Sequence, residues 1–266
     1  MEVKAKRGPR PPKDDRPVAP PPWESEQWQD EGPIRVAAED AAARAVADGP
    51  VRRRTPGSLD PEVIAVVERE AGKATSARYH ERLLSAAEAL ERERFGDARR
   101  MVQPVLRDLP NVAMAHEIAG LSWYAVGQWR KAAAELELAR TLDQTVRHHP
   151  VLADCYRALR RYTEAEELWR DLKGASPEPA VMAEGRIVAA GARADQGDLA
   201  GALRIMERAR AVPKKVREHH LRQWYVIADL LDRSGEVVEA RRMFGLVAHH
   251  DADFADVRDR LSALGR

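Results

Sequence analysis

Residues 116–136 read HEIAGLSWYAVGQWRKAAAEL, a run that predicts two helices joined by a tight turn. Gly127 stands between two helix-forming segments, where a glycine can adopt the left-handed conformation that ends a helix. The small residues Gly120 and Ala132, one on each side of the turn, allow two helix backbones to approach closely. Trp129 and Leu136 place large side chains at helical spacing beside Ala132. The segment therefore predicts a helix pair with small residues where its helices cross.

The same pattern recurs along the chain, which predicts a repeat architecture. One alanine in each unit serves as an anchor, and the spacings between anchors are 34, 33, 37 and 38 residues. The anchors are Ala98, Ala132, Ala165, Ala202 and Ala240. The residue twelve before each anchor is small, and glycine stands five before it at Gly127, Gly197 and Gly235. Because a single helix pair buries only part of its apolar surface, such units must stack. We therefore expect an all-α chain without strands.

These residues resemble the tetratricopeptide repeat (TPR) family, whose unit has an aromatic, a leucine and a small residue in its first helix and alanine, aromatic and alanine in its second. The best local matches are residues 116–132 and residues 224–244, and the resemblance covers about residues 79–252. The composition also resembles stand-alone actinobacterial TPR proteins. Arg193 departs from the family pattern, because an aromatic residue is usual there. The resemblance implies an α-solenoid of about five TPR-like helix hairpins.

The flanking segments differ in composition from the repeats. Residues 1–57 hold ten of the 17 prolines and mix both charges, which predicts a disordered tail with one helix over residues 34–48. Asp60 followed by Pro61 predicts the start of a helix. We therefore expect an N-terminal helix and connection over 58–76, a TPR-like array over 77–252 and a capping helix over 253–266.

Composition and motifs argue against several classes of function. The single cysteine, Cys155, cannot form an intramolecular disulfide, and no apolar run approaches the roughly 20 residues of a spanning helix. We therefore expect a cytoplasmic protein that does not enter a membrane. No nucleotide-binding, hydrolase or metalloprotease motif occurs, and adjacent histidines such as His148 and His149 point about 100° apart on a helix. We expect no enzymatic activity, no catalytic residue, no cofactor and no metal.

The resemblance implies a binding site, because the first helices of TPR arrays line a concave groove that holds a peptide or a helix. Carried onto this sequence, the groove residues are Leu83, Leu90, Glu117, Leu121, Tyr124, Arg147, Asp154, Arg157, Ile187, Arg222, Tyr225 and Asp229. Trp23 and Trp28 have no core to join in the tail, which predicts that they contact this groove or a partner protein.

These features favour a non-enzymatic scaffold that binds a peptide or an amphipathic helix of another protein. The main alternative is RNA or ribosome association through the basic residues at 4–16 and 52–54. The balance of 44 basic and 43 acidic residues makes nucleic-acid binding the weaker prediction. Self-association through the ends of the array, giving a homo-oligomeric structural module, is a third alternative.

Overall fold

The structure is a computed structural model that describes residues 58–265, and every regular element in this range is helical. The helices are α1 (Pro61–Ala71), α2 (Lys73–Glu91), α3 (Phe95–Asp108), α4 (Ala113–Tyr124), α5 (Trp129–Asp143), α6 (His149–Ala158), α7 (Tyr162–Ala175), α8 (Pro179–Asp195), α9 (Leu199–Met206), α10 (Glu218–Arg233), α11 (Val237–His250) and α12 (Val257–Leu264). A 3₁₀ turn, Glu207–Arg210, follows α9. No strand occurs between residues 58 and 265, which confirms the all-α prediction for this part of the chain. The predictions for Trp23, Trp28 and the helix over 34–48 lie outside the described residues.

The helix boundaries at the two ends of the described chain agree in part with the predicted ones. The amide of Glu62 donates to the Asp60 side chain at 3.2 Å and Pro61 opens α1, which confirms the predicted helix start. Gly72, with φ of 76°, separates α1 from α2, so α2 begins at Lys73 rather than near residue 77. At the other end α12 begins at Val257, four residues after the expected start at 253.

Five turns share one backbone conformation, and they fall five residues before each anchor alanine. In each turn the amide of a left-handed residue donates to the carbonyl three before it, and the next amide donates to the carbonyl five before it, at 2.8–3.0 Å. The left-handed residues are Glu93 (φ 57°), Gly127 (71°), Arg160 (56°), Gly197 (80°) and Gly235 (82°). This pair of hydrogen bonds is the Schellman motif, which satisfies the last carbonyls of a helix. The predicted role of the three glycines is confirmed, and two units reach the same turn without glycine.

The small residues of the repeat lie where helices approach each other. All five anchor alanines are at most 3 % exposed, and the four alanines twelve residues before an anchor are at most 5 % exposed. At Gly120, the fifth such position, an added Cβ would lie 2.7 Å from Cγ of Leu136, well inside van der Waals contact. Glycine is therefore required where α4 and α5 cross.

Consecutive helices across these turns form the five most extensive helix contacts in the described chain. We call α2, α4, α6, α8 and α10 the first helices, and α3, α5, α7, α9 and α11 the second helices. Each first helix also contacts the first helix that follows it, and each from α4 onward contacts the second helix before it. The apolar interior of residues 58–265 is divided into three clusters that succeed one another along the chain. This arrangement places the five first helices in one continuous row.

Candidate functional site

The twelve predicted groove residues lie on or just before the first helices, but most are inaccessible. Nine are at most 4 % exposed: Leu83, Leu121, Tyr124, Asp154, Arg157, Ile187, Arg222, Tyr225 and Asp229. Leu90, Glu117 and Arg147 are half-buried. Nine of the twelve side chains are therefore not exposed to solvent in this structure. Leu83 and Ile187 belong to the apolar clusters, and the polar residues bridge successive helices.

A buried polar cluster connects α4, α6 and α8. The Tyr124 hydroxyl donates to Asp154 Oδ2 at 2.6 Å, and Arg157 Nε donates to Asp154 Oδ1 at 2.9 Å. The second partner of Arg157 is Asp195, with Nη1 3.5 Å from its carboxylate. A buried ion pair needs such additional hydrogen bonds to offset desolvation. These three predicted residues therefore join three successive units.

Burial sets the protonation behaviour of this cluster. Burial, followed by the nearby Asp154 carboxylate, raises the pKa of Tyr124 well above its usual value. Burial also raises the pKa of Asp195, although the Arg157 guanidinium opposes that change. Burial alone would lower the pKa of Arg157, but the carboxylates of Asp154 and Asp195 outweigh it and raise that pKa. The cluster therefore holds the Arg157 cation between the side chains of Asp154 and Asp195.

A second polar cluster attaches α12 to α10. Arg260 Nη2 donates to Asp229 Oδ1 at 2.8 Å and to Asp232 Oδ2 at 2.9 Å, and the Tyr225 hydroxyl donates to Asp256. Burial raises the pKa of Asp229, against the effect of Arg260. The sequence prediction included Tyr225 and Asp229 but missed Arg260. The separation of 31 residues between Asp229 and Arg260, close to one repeat period, is the signal that could have identified the pair.

Near the N-terminal end of the row, Glu117 is the centre of a half-buried cluster. Arg147 Nη2 donates to Glu117 Oε2 at 2.9 Å, and His148 Nε2 lies 3.2 Å from Glu117 Oε1. Both partners lie just before α6, so the contact again joins neighbouring units. Two further predicted groove residues, Glu117 and Arg147, are thus brought together.

The pair of Glu184 on α8 and Arg222 on α10 differs from the other clusters. Arg222 Nη2 lies 2.5 Å from Glu184 Oε1, and both side chains are at most 4 % exposed. Within residues 58–265, Nε and Nη1 of Arg222 have no hydrogen-bond acceptor. Buried donors are almost always satisfied, because an unsatisfied buried donor costs about 1–3 kcal/mol. These guanidinium donors lie beside the Glu184 carboxylate, whose oxygens are buried as well.

The histidine doublets and the cysteine belong to no cluster of metal-ligating side chains in the described chain. Burial lowers the pKa of His149 and of His219 to about 4, and burial raises the pKa of the Cys155 thiol well above its usual value. The rings of His219 and His220 are tilted by 44° with centroids 4.1 Å apart, and the ring of His250 lies 5.6 Å from that of Trp224. No group of three or more metal-ligating side chains occurs within residues 58–265.

A scan against protein-family models and a search of curated proteins found no match to this chain. Across the described residues, none of the helices combines the length and the apolar character that crossing a membrane requires.

Proposed function

We propose that this chain is an α-solenoid of five TPR-like hairpins with a capping helix, and that it is a non-enzymatic cytoplasmic scaffold that binds a segment of another protein. The support is the recurrence of one turn, one crossing position and one set of helix contacts in all five units. Units of this kind form a continuous row of first helices, which in solenoids is the usual binding surface. Fold alone does not define the function, so the proposal depends on the site.

The observation that carries the proposal is the buried Arg222 with two guanidinium donors that lack acceptors within residues 58–265. A carboxylate or a backbone carbonyl of a bound segment would accept from those donors, and Arg recognises such groups with its planar fork. Arg186 Nη1 already donates to Gln223 Oε1 nearby, at 2.6 Å, so the Gln223 amide does not satisfy Arg222. We place the bound peptide or amphipathic helix against α8 and α10.

Because Glu184 and Arg222 are at most 4 % exposed, a bound segment must first gain access to them. Residues 34–48 carry alanines and both charges in the proportions of an amphipathic helix. We propose that residues 34–48 compete with the partner for the row of first helices, as a self-inhibitory contact. Trp23 and Trp28 would supply a second contact to the partner. Deleting residues 1–57 would then strengthen or alter partner binding while leaving the melting temperature of the array nearly unchanged.

The test is affinity purification of the full chain from its native cells, with and without RNase, followed by mass spectrometry. The variant Glu184→Leu/Arg222→Met removes both members of the buried pair, since replacing both with apolar groups avoids leaving one buried charge alone. The matched control, Arg208→Met, removes one exposed arginine. A protein retained by the wild type and by the control, but lost from the double variant at unchanged melting temperature, supports the proposal.

Two outcomes would contradict it. If the double variant retains every partner, the site is not at Arg222. If RNase removes the partners and raising the salt concentration has the same effect, the basic tail and nucleic acid account for the binding instead.

A further inference from the structure

A cleft of about 380 Å³ lies between α7 and α9, with α8 at its base. This volume falls within the range of about 300–1,000 Å³ that is typical of ligand sites. None of the twelve predicted groove residues lines the cleft, so it is separate from the site proposed above. The cleft is partly open to solvent.

The cleft exists because the fourth unit departs from the repeat at two places. Arg193 lies nine residues before the anchor Ala202, where the second and third units have Trp123 and Tyr156. The side chain of Arg193 extends to Glu166, with Nη2 3.0 Å from Oε1, and does not fill the gap between the second helices. The second departure is α9 itself, which has only eight residues before the 3₁₀ turn.

Gly201 leaves the first turn of α9 without a side chain on the cleft wall. Asp198 caps this turn, because its Oδ1 accepts from the Gly201 amide at 2.7 Å. A Cβ at residue 201 would lie 2.0 Å from Asp198 Oδ2, so the capped turn requires glycine. The cap therefore keeps this wall of the cleft open.

The lining of the cleft combines an aromatic surface with an excess of cations. Trp169 and Tyr162 are half-buried and contribute rings, and Lys173, Arg193 and Arg204 contribute three cations. The two lining carboxylates are engaged, Glu166 by Arg193 and Asp198 by its cap, with Arg204 4.0 Å away. Within residues 58–265 Lys173 forms no ion pair, and its ammonium lies 5.3 Å from the centre of the Trp169 ring. The unsatisfied charge of the cleft is therefore positive.

We propose that this cleft binds an acidic peptide segment of a partner protein, with an aromatic side chain stacked on Trp169 and its carboxylates paired with Lys173 and Arg204. Aromatic pairs prefer offset-stacked or edge-to-face arrangements, which defines how the aromatic side chain of the peptide lies on the Trp169 ring. The ion pairs of the peptide carboxylates with Lys173 and Arg204 lie at the rim of the cleft. They make the cleft selective for acidic peptides and make the binding sensitive to salt.

The experiment uses a fluorescently labelled peptide of one tryptophan flanked by two glutamates on each side, titrated with the full chain. Fluorescence anisotropy measures the dissociation constant. Lys173→Glu/Arg204→Glu should weaken binding at least about tenfold, since both rim pairs are lost and the new carboxylates repel the peptide. The matched control, Lys214→Glu/Lys215→Glu, makes the same change in net charge at exposed positions outside the cleft and should leave the constant within about threefold. Trp169→Leu should weaken binding of this peptide but not of its Trp→Ala analogue.

Several results would overturn the proposal. One is no saturable binding by the wild type, and another is equal weakening in the control, which would indicate non-specific attraction. Equally tight binding of a peptide with lysine in place of glutamate would contradict the assigned charge. Residues 23–31 of the chain, WESEQWQDE, have the same chemistry as the probe. If Trp23→Ala/Trp28→Ala strengthens probe binding, the occupant is this segment and not a partner protein.

Discussion

The second unit (α4 and α5) and the fourth unit (α8 and α9) have the same turn between their helices. They differ in how well side chains fill the space beside those helices. In the second unit Trp123 lies between two cations, with Arg99 4.1 Å and Lys131 4.3 Å from its ring centre. In the fourth unit Arg193 takes that position and a cleft remains. Both turns nevertheless have a glycine with positive φ, Gly127 or Gly197, and the same pair of backbone hydrogen bonds.

The difference indicates that two kinds of position act separately in this chain. The turn and the small crossing residues define the backbone repeat, because they control where the chain reverses and how closely helices approach. The large residues fill the space between units, and the backbone tolerates their loss in one unit. A unit can therefore lose an aromatic residue, open a cleft and still keep the repeat. The following changes test that separation.

The largest loss of stability is expected where side chains completely fill the space between two helices. Leu136, fully buried against Gly120, occupies the same repeat position as Trp169 at the edge of the cleft. Leu136→Ala should lower the free energy of unfolding by about 2–5 kcal/mol, because a buried cavity remains. Trp169→Ala removes more atoms, but the side chain is half-buried, so the loss should be smaller. Urea denaturation measures both, and a larger loss at Trp169 would show that the cleft edge is part of the core.

Buried histidines also distinguish the second unit from the helix that follows the fourth. In α4, burial opposes the charge on His116, but Glu135 Oε2 at 2.7 Å from Nδ1 and the Pro110 carbonyl raise its pKa. His219 in α10 has its pKa lowered to about 4, first by burial and then by His220 and Arg217. The two side chains should therefore respond to acid in opposite directions.

Lowering the pH from 7 to 5 should destabilise the chain through His219, because the unfolded state binds a proton near pH 6.5 and the folded state does not. The effect of this group should reach up to about 2 kcal/mol, at about 1.4 kcal/mol for each pH unit below 6.5. His116 stabilises the fold below pH 6.5, and its contribution is lost as pH rises through its folded pKa. Urea titrations at several pH values should therefore show a smaller acid loss for His219→Asn and a larger one for His116→Asn. Parallel pH profiles for both variants and the wild type would contradict this assignment.

The turns should respond equally in the two units, despite their different filling. An alanine at Gly127 or Gly197 must adopt positive φ, which costs about 1–2 kcal/mol for a residue with a Cβ. Space does not distinguish the two sites, since a Cβ would lie 3.7 Å from Trp129 at Gly127 and meet nothing within 4 Å at Gly197. Equal shifts in the free energy of unfolding for Gly127→Ala and Gly197→Ala are expected. Unequal shifts would mean that turn and filling are coupled.

Much of this fold could be predicted from the sequence, because the turns and caps that define it depend on interactions between residues close in sequence. Gly127, Gly197, Gly235 and the cap at Asp60 follow from local backbone rules, and all four are confirmed. The left-handed turn at Arg160 could not be predicted from residue type, since only the repeat period points to it. At Arg160 the packing of the repeat therefore overrides the preference of a non-glycine residue for negative φ.

The site was less predictable than the fold. A repeat register assigns a residue to a helix face, but it does not show how closely the next helix approaches that face. Tyr124 and Arg157 were assigned to the groove, yet each pairs with a carboxylate of the next first helix and is buried. Predicting the cleft would have required two observations together, the missing aromatic residue at Arg193 and the shortness of α9. Only the first is visible in the sequence.

Restoring the aromatic residue should make the fourth unit resemble the second. Arg193→Tyr places a ring in the cleft and loses only the ion pair with Glu166, whose side chain is half exposed and contributes little. Partial burial of the ring should exceed that loss and stabilise the chain by about 1 kcal/mol. The same change should abolish binding of the acidic probe peptide. Arg193→Ala is the control, since it removes the ion pair without filling the cleft, and stabilisation by alanine would rule out the filling effect.

The smallest effect is expected at Glu93, which holds the left-handed turn without glycine. Glu93→Gly relieves about 1–2 kcal/mol of conformational cost, but glycine also increases the entropy of the unfolded chain, which offsets about 0.4–1 kcal/mol. A net gain of about 0.5 kcal/mol in the free energy of unfolding is expected, measured as a higher urea midpoint at unchanged slope. Glu93→Ala separates backbone from side chain, because alanine keeps the Cβ and gains no relief. If alanine stabilises the chain as much as glycine does, the gain comes from removing the carboxylate, and the first turn is not strained in the way that its φ of 57° indicates.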